Sequence, residues 1–415
     1  MSHNDYKIRT INSKSESNSL KELFTTVFYP EEVGLFAEVM FNHFPYTENK
    51  YWFVAEEEKT AQLVAGLTLI PWTWSYEGIS LKIAEMGIVG TLENHRNKGL
   101  IRKLNEKFSE TMKSENFHMS VIQGIPGFYH KIGYNYAVSL ENHINLPLHI
   151  IDDIGDENLW TIRLCINKDI PWLIEQDEIY KDSYSLTTER NEKHWKFIFS
   201  YGKEAEYESE FWLIENSLDK RKFYFRISLT GFGEGLIIRE VSDNISHDAL
   251  PFLFSTFKKF AIERGKPYIR INLSENSIVG KRALSIGASF ERPYGFQIKI
   301  PDKIFFLNEI KSVLEDRIFK SSYENLTDSI CINFYDEQVH LKWKNGKVES
   351  ISHEGDNPSY TISMRKECFE PLVTGYRSWK ELQYLHHDVI SSSVEAGELT
   401  DILFPKKDSW IYLQY

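Results

Sequence analysis

Residues 89–104 read VGTLENHRNKGLIRKL: an apolar strand end at Val89 and Gly90, a basic turn at Arg96, Asn97, Lys98 and Gly99, then a helix start at Leu100, Ile101 and Arg102. A helix start leaves backbone N–H groups without partners and carries an effective charge of roughly +0.5, to which Arg96, Lys98 and Arg102 add full charges. Gly99 lets a bulky diphosphate approach the main chain. This is the chemistry of a pyrophosphate cradle, although the same residues also fit an ordinary helix start with solvated charges. The Gly-Lys-Ser/Thr ending of a P-loop is missing, as are the further glycines of a dinucleotide-binding fingerprint.

Upstream, residues 81–90 form the strand that feeds this loop. Leu81 and Ile83 hold odd positions and Met86 and Ile88 even ones, so the alternation slips near Ala84 and Glu85. A β-bulge there would splay the strand from its neighbour. Downstream, Ile101, Leu104, Phe108 and Met112 predict the apolar stripe of an amphipathic helix. The stretch HMSVIQGIPGFYHKIGYNYAV, residues 118–138, predicts a strand to about Gln123, a glycine-proline turn, a short helix from Phe128 and a further strand near Tyr134.

Strands at 6–11, 51–56 and 63–70 and helices near 20–28 and 33–41 complete a unit of residues 1–150, with 71–78 read as a loop. The order partly repeats over 151–302, with a strand at 236–241, a helix at 251–264, a strand at 268–273, a helix ending at Gly287 and a strand at 296–300. Past Pro301 a helix at 304–319 and strands at 329–334, 339–343 and 360–364, with a turn at 344–347, form a third unit, 303–415. The expected class is α/β and α+β: two tandem mixed-sheet domains, then a smaller α+β domain.

With 42% hydrophobic and 14% aromatic residues, the 415-residue chain has ample material for buried cores. Its net charge of −12 argues against non-specific affinity for nucleic acid and tolerates cationic substrates. No run reaches the ~20 apolar residues of a membrane span. Cys165, Cys331 and Cys368 are far apart and lack metal-ligand spacing, and the polar stretch 1–19 lacks the apolar centre of a secretory leader. The expectation is a cytoplasmic soluble protein without a metal, nucleic-acid partner or membrane span.

Arg-x-x-Gly after a bulged strand, followed one helix and one strand later by Gly-Phe-Tyr-His-Lys-Ile-Gly-Tyr at 127–134, resembles the Gcn5-related N-acetyltransferases (GNAT). Arg-x-x-Gly-x-x-Arg at 96–102 and Tyr-x-x-x-Gly-Tyr at 129–134 resemble the enhanced-intracellular-survival (Eis) subgroup more closely. The resemblance implies tandem GNAT-like domains and a sterol-carrier-protein-like C-terminal domain, to which Gly-Tyr-Arg-Ser at 375–378 also belongs. It implies that the Arg96 to Arg102 loop holds the pyrophosphate of acetyl-CoA, a co-substrate, and that Tyr129 is the general acid. It places the general base on the terminal carboxylate of Tyr415 and implies a homo-oligomeric ring. Two positions depart from the pattern: Ile101, where a small residue is usual, and Gly124, where the subgroup can carry serine.

The residues carry such a mechanism on their own terms. Amine attack on a thioester needs an oxyanion donor, an acid and a base. Backbone amides of Ile88, Val89 and Gly90 are candidates for the first. Tyr129, protonated at neutral pH, suits the second, although it also fits a core aromatic beside Phe128 and Tyr134. Glu85 and His130 rival Tyr415 as base, His130 reading better as an exposed helix residue. Trp410, Tyr412 and Tyr415 predict a buried tail. At the corresponding place the second unit carries Asp243 and Asp248 and no glycine, which suits no pyrophosphate. The expected function is acetyl transfer from acetyl-CoA to a primary amine of a cationic small molecule, such as an aminoglycoside or polyamine, or of a lysine side chain. The competing reading is a non-catalytic acyl-CoA or lipid-binding protein.

Overall fold

The computed structural model describes residues 5–154, 159–202, 208–231, 233–291, 293–355 and 357–415. The first unit contains β1 (Tyr6–Thr10), α1 (Ser17–Phe28), α2 (Val33–His43), β2 (Trp52–Glu57), β3 (Leu63–Tyr76), β4 (Ile79–Thr91), α3 (Leu100–Ser114), β5 (Met119–Ile122) and β6 (Asn135–Glu141). Its spine is the β3–β4 hairpin, closed by Glu77 and Gly78 at φ 47° and 89° with Tyr76 opposite Ile79, a two-residue turn whose twist matches the strands.

Residues 71–78, expected as a loop, lie mostly within β3. Pro71 fits because β3 has no neighbour on its second edge there: pairing with β2 reaches only Thr68, and the short strand 186–188 joins at Trp74. A missing N–H is tolerated at such an edge. On α3 the buried stripe is Leu100, Leu104, Phe108 and Met112, with Ile101 half-buried, so the stripe sits one residue from the expected start.

The first unit ends with β7 (Ile144–Pro147), and the second runs through β8 (Trp160–Leu164), α4 (Ile170–Ser183), β9 (Leu186–Thr188), α5 (Glu192–Tyr201), β10 (Ser209–Asn216), β11 (Lys222–Ser228), β12 (Leu236–Val241), α6 (Leu250–Glu263), β13 (Tyr268–Ile271), α7 (Ile278–Ser285), β14 (Ser289–Phe290) and β15 (Tyr294–Lys299). The first sheet has the order β1-β2-β3-β4-β5-β15-β6, with β9 also on β3; the second has the order β14-β7-β13-β12-β11-β10-β8. Read from opposite ends, the two are the same arrangement with one strand exchanged. β7 leaves the first unit to pair with β13, and β15 crosses from the second unit to lie between β5 and β6.

The third unit holds α8 (Lys303–Glu309), α9 (Lys311–Phe319), β16 (Ser329–Asn333), β17 (Gln338–Lys344), β18 (Lys347–Ser352), β19 (Tyr360–Ser363), α10 (Phe369–Val373), α11 (Trp379–Leu385), β20 (Ile390–Ser391) and α12 (Val394–Leu403). Its sheet has the order β18-β17-β16-β19-β20. The β17–β18 turn places Asn345 and Gly346 at positive φ, as Lys-Asn-Gly-Lys predicts. The helix expected at 304–319 breaks at Ile310. Gly-Tyr-Arg-Ser leads into α11, where Ser378 and Glu381 form a capping box.

One continuous apolar core joins the first and third units and takes in part of the second, Leu173, Trp195 and Phe211 among it, together with Ile411, Leu413 and Tyr415 of the tail; a separate core fills the rest of the second unit and takes in Trp410 and Tyr412. The tail, residues 410–415, has no regular secondary structure and is buried throughout, as its aromatic residues predict. The molecule is of mixed α/β and α+β class.

Candidate active site

Gly66 pairs with Gly90 and Thr68 with Gly87, so Ile88 and Val89 together face Leu67. This is a β-bulge, with Ile88 at φ 50°. It lies a few residues beyond the slip at Ala84 and Glu85. That slip has another cause: Ala84, Glu85 and Met86 are all buried, because both faces of β4 are covered there and a carboxylate takes one inward place.

Parallel pairing of β4 with β5 covers only Ile83, Ala84 and Glu85, opposite Met119, Ser120 and Val121. Beyond it β4 continues along β3 while β5 ends at Ile122, which opens a wedge walled by the half-buried Ile88 and Val89. Backbone groups on that edge are available to an extended ligand.

The basic loop closes the wedge's outer end. Asn97 and Gly99 adopt left-handed φ values of 61° and 73°, and Gly99 caps α3 with no side-chain hydrogen bond at the cap. Alternating handedness turns successive N–H groups toward one point, an anion-binding nest. Lys98 Nζ donates to the Tyr6 hydroxyl at 2.7 Å, and Arg96 Nε makes a long contact with the Thr91 carbonyl at 3.4 Å. A Cβ added at Gly99 would meet only Arg102, at 3.8 Å. Among the described residues, none of Arg96, Lys98 and Arg102 is paired with a carboxylate. Three cations and the start of a fifteen-residue helix thus surround an open nest.

Tyr129 opens a short 3₁₀ turn on the other side of the wedge. It is 6% exposed, and burial pushes its phenol up to about 12, so it stays protonated near neutrality. Among the described residues its hydroxyl accepts and donates no hydrogen bond. The ring lies on Gly124, where an added Cβ would come within 2.3 Å of a ring carbon. That close approach explains glycine, rather than serine, at 124. The Gly124 carbonyl accepts hydrogen bonds from Tyr294 and, at 2.8 Å, from Gln297 Nε2, both on the exchanged strand β15. His130 is exposed.

The tail brings Tyr415 to the same region. Its ring lies 5.1 Å from Phe36 and 5.6 Å from Trp72, and its hydroxyl donates to both Glu85 oxygens, at 3.0 and 3.1 Å. Gln123 Nε2 donates to the Tyr415 hydroxyl at 3.1 Å and to Glu85 at 3.3 Å. Glu85 is 3% exposed; burial pushes its carboxyl up to about 7, against the pull of the hydrogen bonds from Tyr415 and Gln123. The main-chain oxygen of Tyr415 accepts from Arg226 Nη2 at 2.7 Å. Gln123 and Arg226 escaped the sequence reading. Gln123 follows β5 at the wedge's apex, a place that carried a signal; Arg226 lies in another unit, where nothing local announced it.

Residues 7–137 match the family model of an acetyltransferase (GNAT) domain. No curated protein matches the chain. Similar solved structures include a conserved protein of unknown function from Enterococcus faecalis V583, described as a probable N-acyltransferase, with a TM-score of 0.74 and 14% identity over 99% of this chain and 100% of that one. A GCN5-related N-acetyltransferase from Anabaena variabilis ATCC 29413 has a TM-score of 0.68 and 14% identity over 98% of this chain and 99% of its own. Eis1 from Mycobacterium abscessus has a TM-score of 0.64 and 11% identity over 99% of both. At these identities the likeness is one of fold, and it runs the length of the chain. The domain match gives residues 7–137 the class of an acetyltransferase (GNAT) domain, and the fold around it is the one these structures share.

Proposed function

We propose that the chain transfers acetyl from acetyl-CoA directly to a primary amine, borne by a cationic small molecule such as an aminoglycoside or polyamine or by a lysine side chain. The observation that carries this reading is the convergence on one wedge of an unpaired cationic nest, a buried protonated tyrosine and a buried carboxyl with proton affinity near neutrality. The nest of Asn97, Lys98 and Gly99, with Arg96 and Arg102, suits the pyrophosphate. The bulged edge at Ile88, Val89 and Gly90 suits the pantetheine arm and the carbonyl oxygen on which charge develops. Leu100 and Ile101 supply the first amides of α3.

In this reading Tyr129 gives its proton to the departing thiolate, and Glu85 takes the proton released by the attacking amine. A base with affinity near the working pH is the efficient one. The family resemblance assigns that task to the Tyr415 carboxylate. We place it on Glu85, whose buried carboxyl is pushed up to about 7 and is touched by the Tyr415 phenol. We assign domains at 1–150, 151–302 and 303–415, the last sterol-carrier-like, a cytoplasmic setting and a homo-oligomeric assembly on the resemblance alone.

The test is CoA thiol release with a panel of aminoglycosides, polyamines and lysine peptides. The reading expects turnover with at least one amine and a kcat lower by about 100-fold or more in Tyr129→Phe. Full turnover by Tyr129→Phe would remove the proposed acid.

A further inference from the structure

The second sheet repeats the geometry of the first and puts something else in its wedge. β12 pairs with β13 over three positions, Leu236, Ile237 and Ile238, and then runs on to Val241. Its pairing with β11 shifts register between Arg226 and Ile227, so Arg239 is the extra residue on β12, the strand that corresponds to β4. Residues 410–413 lie in the gap: only about 10 Å³ remains between them, Glu240 and Asn272. The Tyr412 hydroxyl donates to the Val241 carbonyl at 3.3 Å, and the Thr188 hydroxyl donates to the Tyr412 carbonyl at 2.6 Å.

At this bulge stands Arg226, 1% exposed, with its donors shared among three elements. Nε donates to Ser209 on β10 at 3.0 Å, Nη1 to Glu240 on β12 at 2.9 Å, and Nη2 to the Tyr415 main-chain oxygen at 2.7 Å. Glu240 is held in turn by Arg190, which also pairs with Asp177 at 2.5 Å. All four side chains are at most 2% exposed. A buried ion pair costs desolvation and is poor evidence of a stability role; its best-attested use is to fix one arrangement. Here the arrangement fixed is that of Tyr415, whose opposite end touches Glu85.

We infer that the second wedge is a clamp for the tail and that Arg226 is a positioning residue of the acetyl transfer, setting Tyr415 so that its phenol and Gln123 orient the Glu85 carboxylate. One unit binds the acyl donor; the other has become the fixture that holds part of the first unit's proton-handling machinery. The inference rests on the proposed reaction, with Glu85 as proton acceptor.

The experiment compares wild type, Arg226→Gln, Arg226→Lys and Ser209→Ala, measuring turnover, acetyl-CoA affinity by calorimetry and hydrogen exchange of the 410–415 peptide. Arg226→Gln is expected to lose kcat by about tenfold or more, a barrier change of roughly 1.4 kcal/mol, with acetyl-CoA affinity unchanged and exchange of 410–415 faster. Arg226→Lys, which keeps the charge, should recover part of both. Ser209→Ala removes one hydrogen bond from a folded protein and should move turnover and exchange the same way by a factor of about five, which keeps the question decidable if Arg226→Gln does not fold. Active wild type with turnover unaltered in Ser209→Ala and in any folded Arg226 variant overturns this inference alone. Wild type inactive on every amine overturns the proposed reaction and the positioning role with it.

Discussion

Two wedges of one design, one in each of the two larger sheets, carry different ionisable groups. In the first, β4 runs into Arg96, Lys98 and Arg102 around a nest opened by Asn97 and Gly99. In the second, β12 runs into Asp243, held against the Tyr412 phenol and pushed up to about 7 by burial, and Asp248, paired with Arg221. Aligning Ser285–Ile286–Gly287 of the second unit with Lys131–Ile132–Gly133 of the first puts the fully buried Ala283 where the first has Tyr129. On the proposed reading, the backbone device of bulge and diverging strands does not by itself make a CoA site; the cations and one phenol of the first wedge do, and the second gap, which has neither, holds a stretch of the protein's own chain.

Tyr129→Phe should have the largest effect on the first wedge, cutting kcat without changing acetyl-CoA affinity, because the proposed role of the phenol is on the leaving group and not at the nest. Gly124→Ala comes next. Its Cβ would enter the space of the Tyr129 ring, and a displacement of about 1 Å is enough to cost on the order of 100-fold in rate while leaving the fold intact. Steady-state kinetics with circular dichroism separates that outcome from unfolding.

The pH dependence sharpens the comparison at Glu85. As a base it works ionised, so kcat/KM should rise with pH through about 7. Among the described residues, the groups facing it are the titratable Tyr415 phenol from the tail, the Gln123 amide beyond β5, and the rings of Trp72 and Phe36 that enclose Tyr415. Tyr415→Phe removes a hydrogen bond to the ionised form and should move the half-rise up. Tyr415→Ala admits water and should move it down. Stability should run the other way: a carboxyl that keeps its proton to about 7 when folded, but only to about 4.5 when unfolded, loses stability as pH rises between those values. Glu85→Gln should therefore raise Tm at pH 8 and not at pH 4, while abolishing turnover.

The smallest effects belong to single charges on the exposed loop. Arg96→Ala or Arg102→Ala should each raise KM for acetyl-CoA several-fold, by about 1 kcal/mol, and reduce its dependence on salt.

Much of this was legible because it is local. The basic turn, the glycine, the helix and the tyrosine lie within one stretch of chain, and each element announces the next. The aromatic tail was legible as buried because exposed termini are not written with Trp410, Tyr412 and Tyr415. What stayed hidden was non-local. The slip in β4 was read as the bulge itself, when it records a buried carboxylate and the bulge follows at Ile88 and Val89. Pro71 suggested a loop because its permission to sit in β3 comes from an edge that periodicity does not display. The exchange of β7 and β15, and the reach of Arg226 to Tyr415 across 189 residues, depend on contacts between units.

The central claim is that the chain holds one acetyl-CoA wedge, in its first unit, and that the second is closed by the tail. Calorimetric titration of acetyl-CoA into wild type and into the Arg96→Ala/Arg102→Ala double variant tests it most directly. The account predicts one site per chain, weakened by about tenfold or more in the double variant as two charge-assisted contacts go. Two sites per chain, or affinity untouched by loss of both arginines, would contradict it.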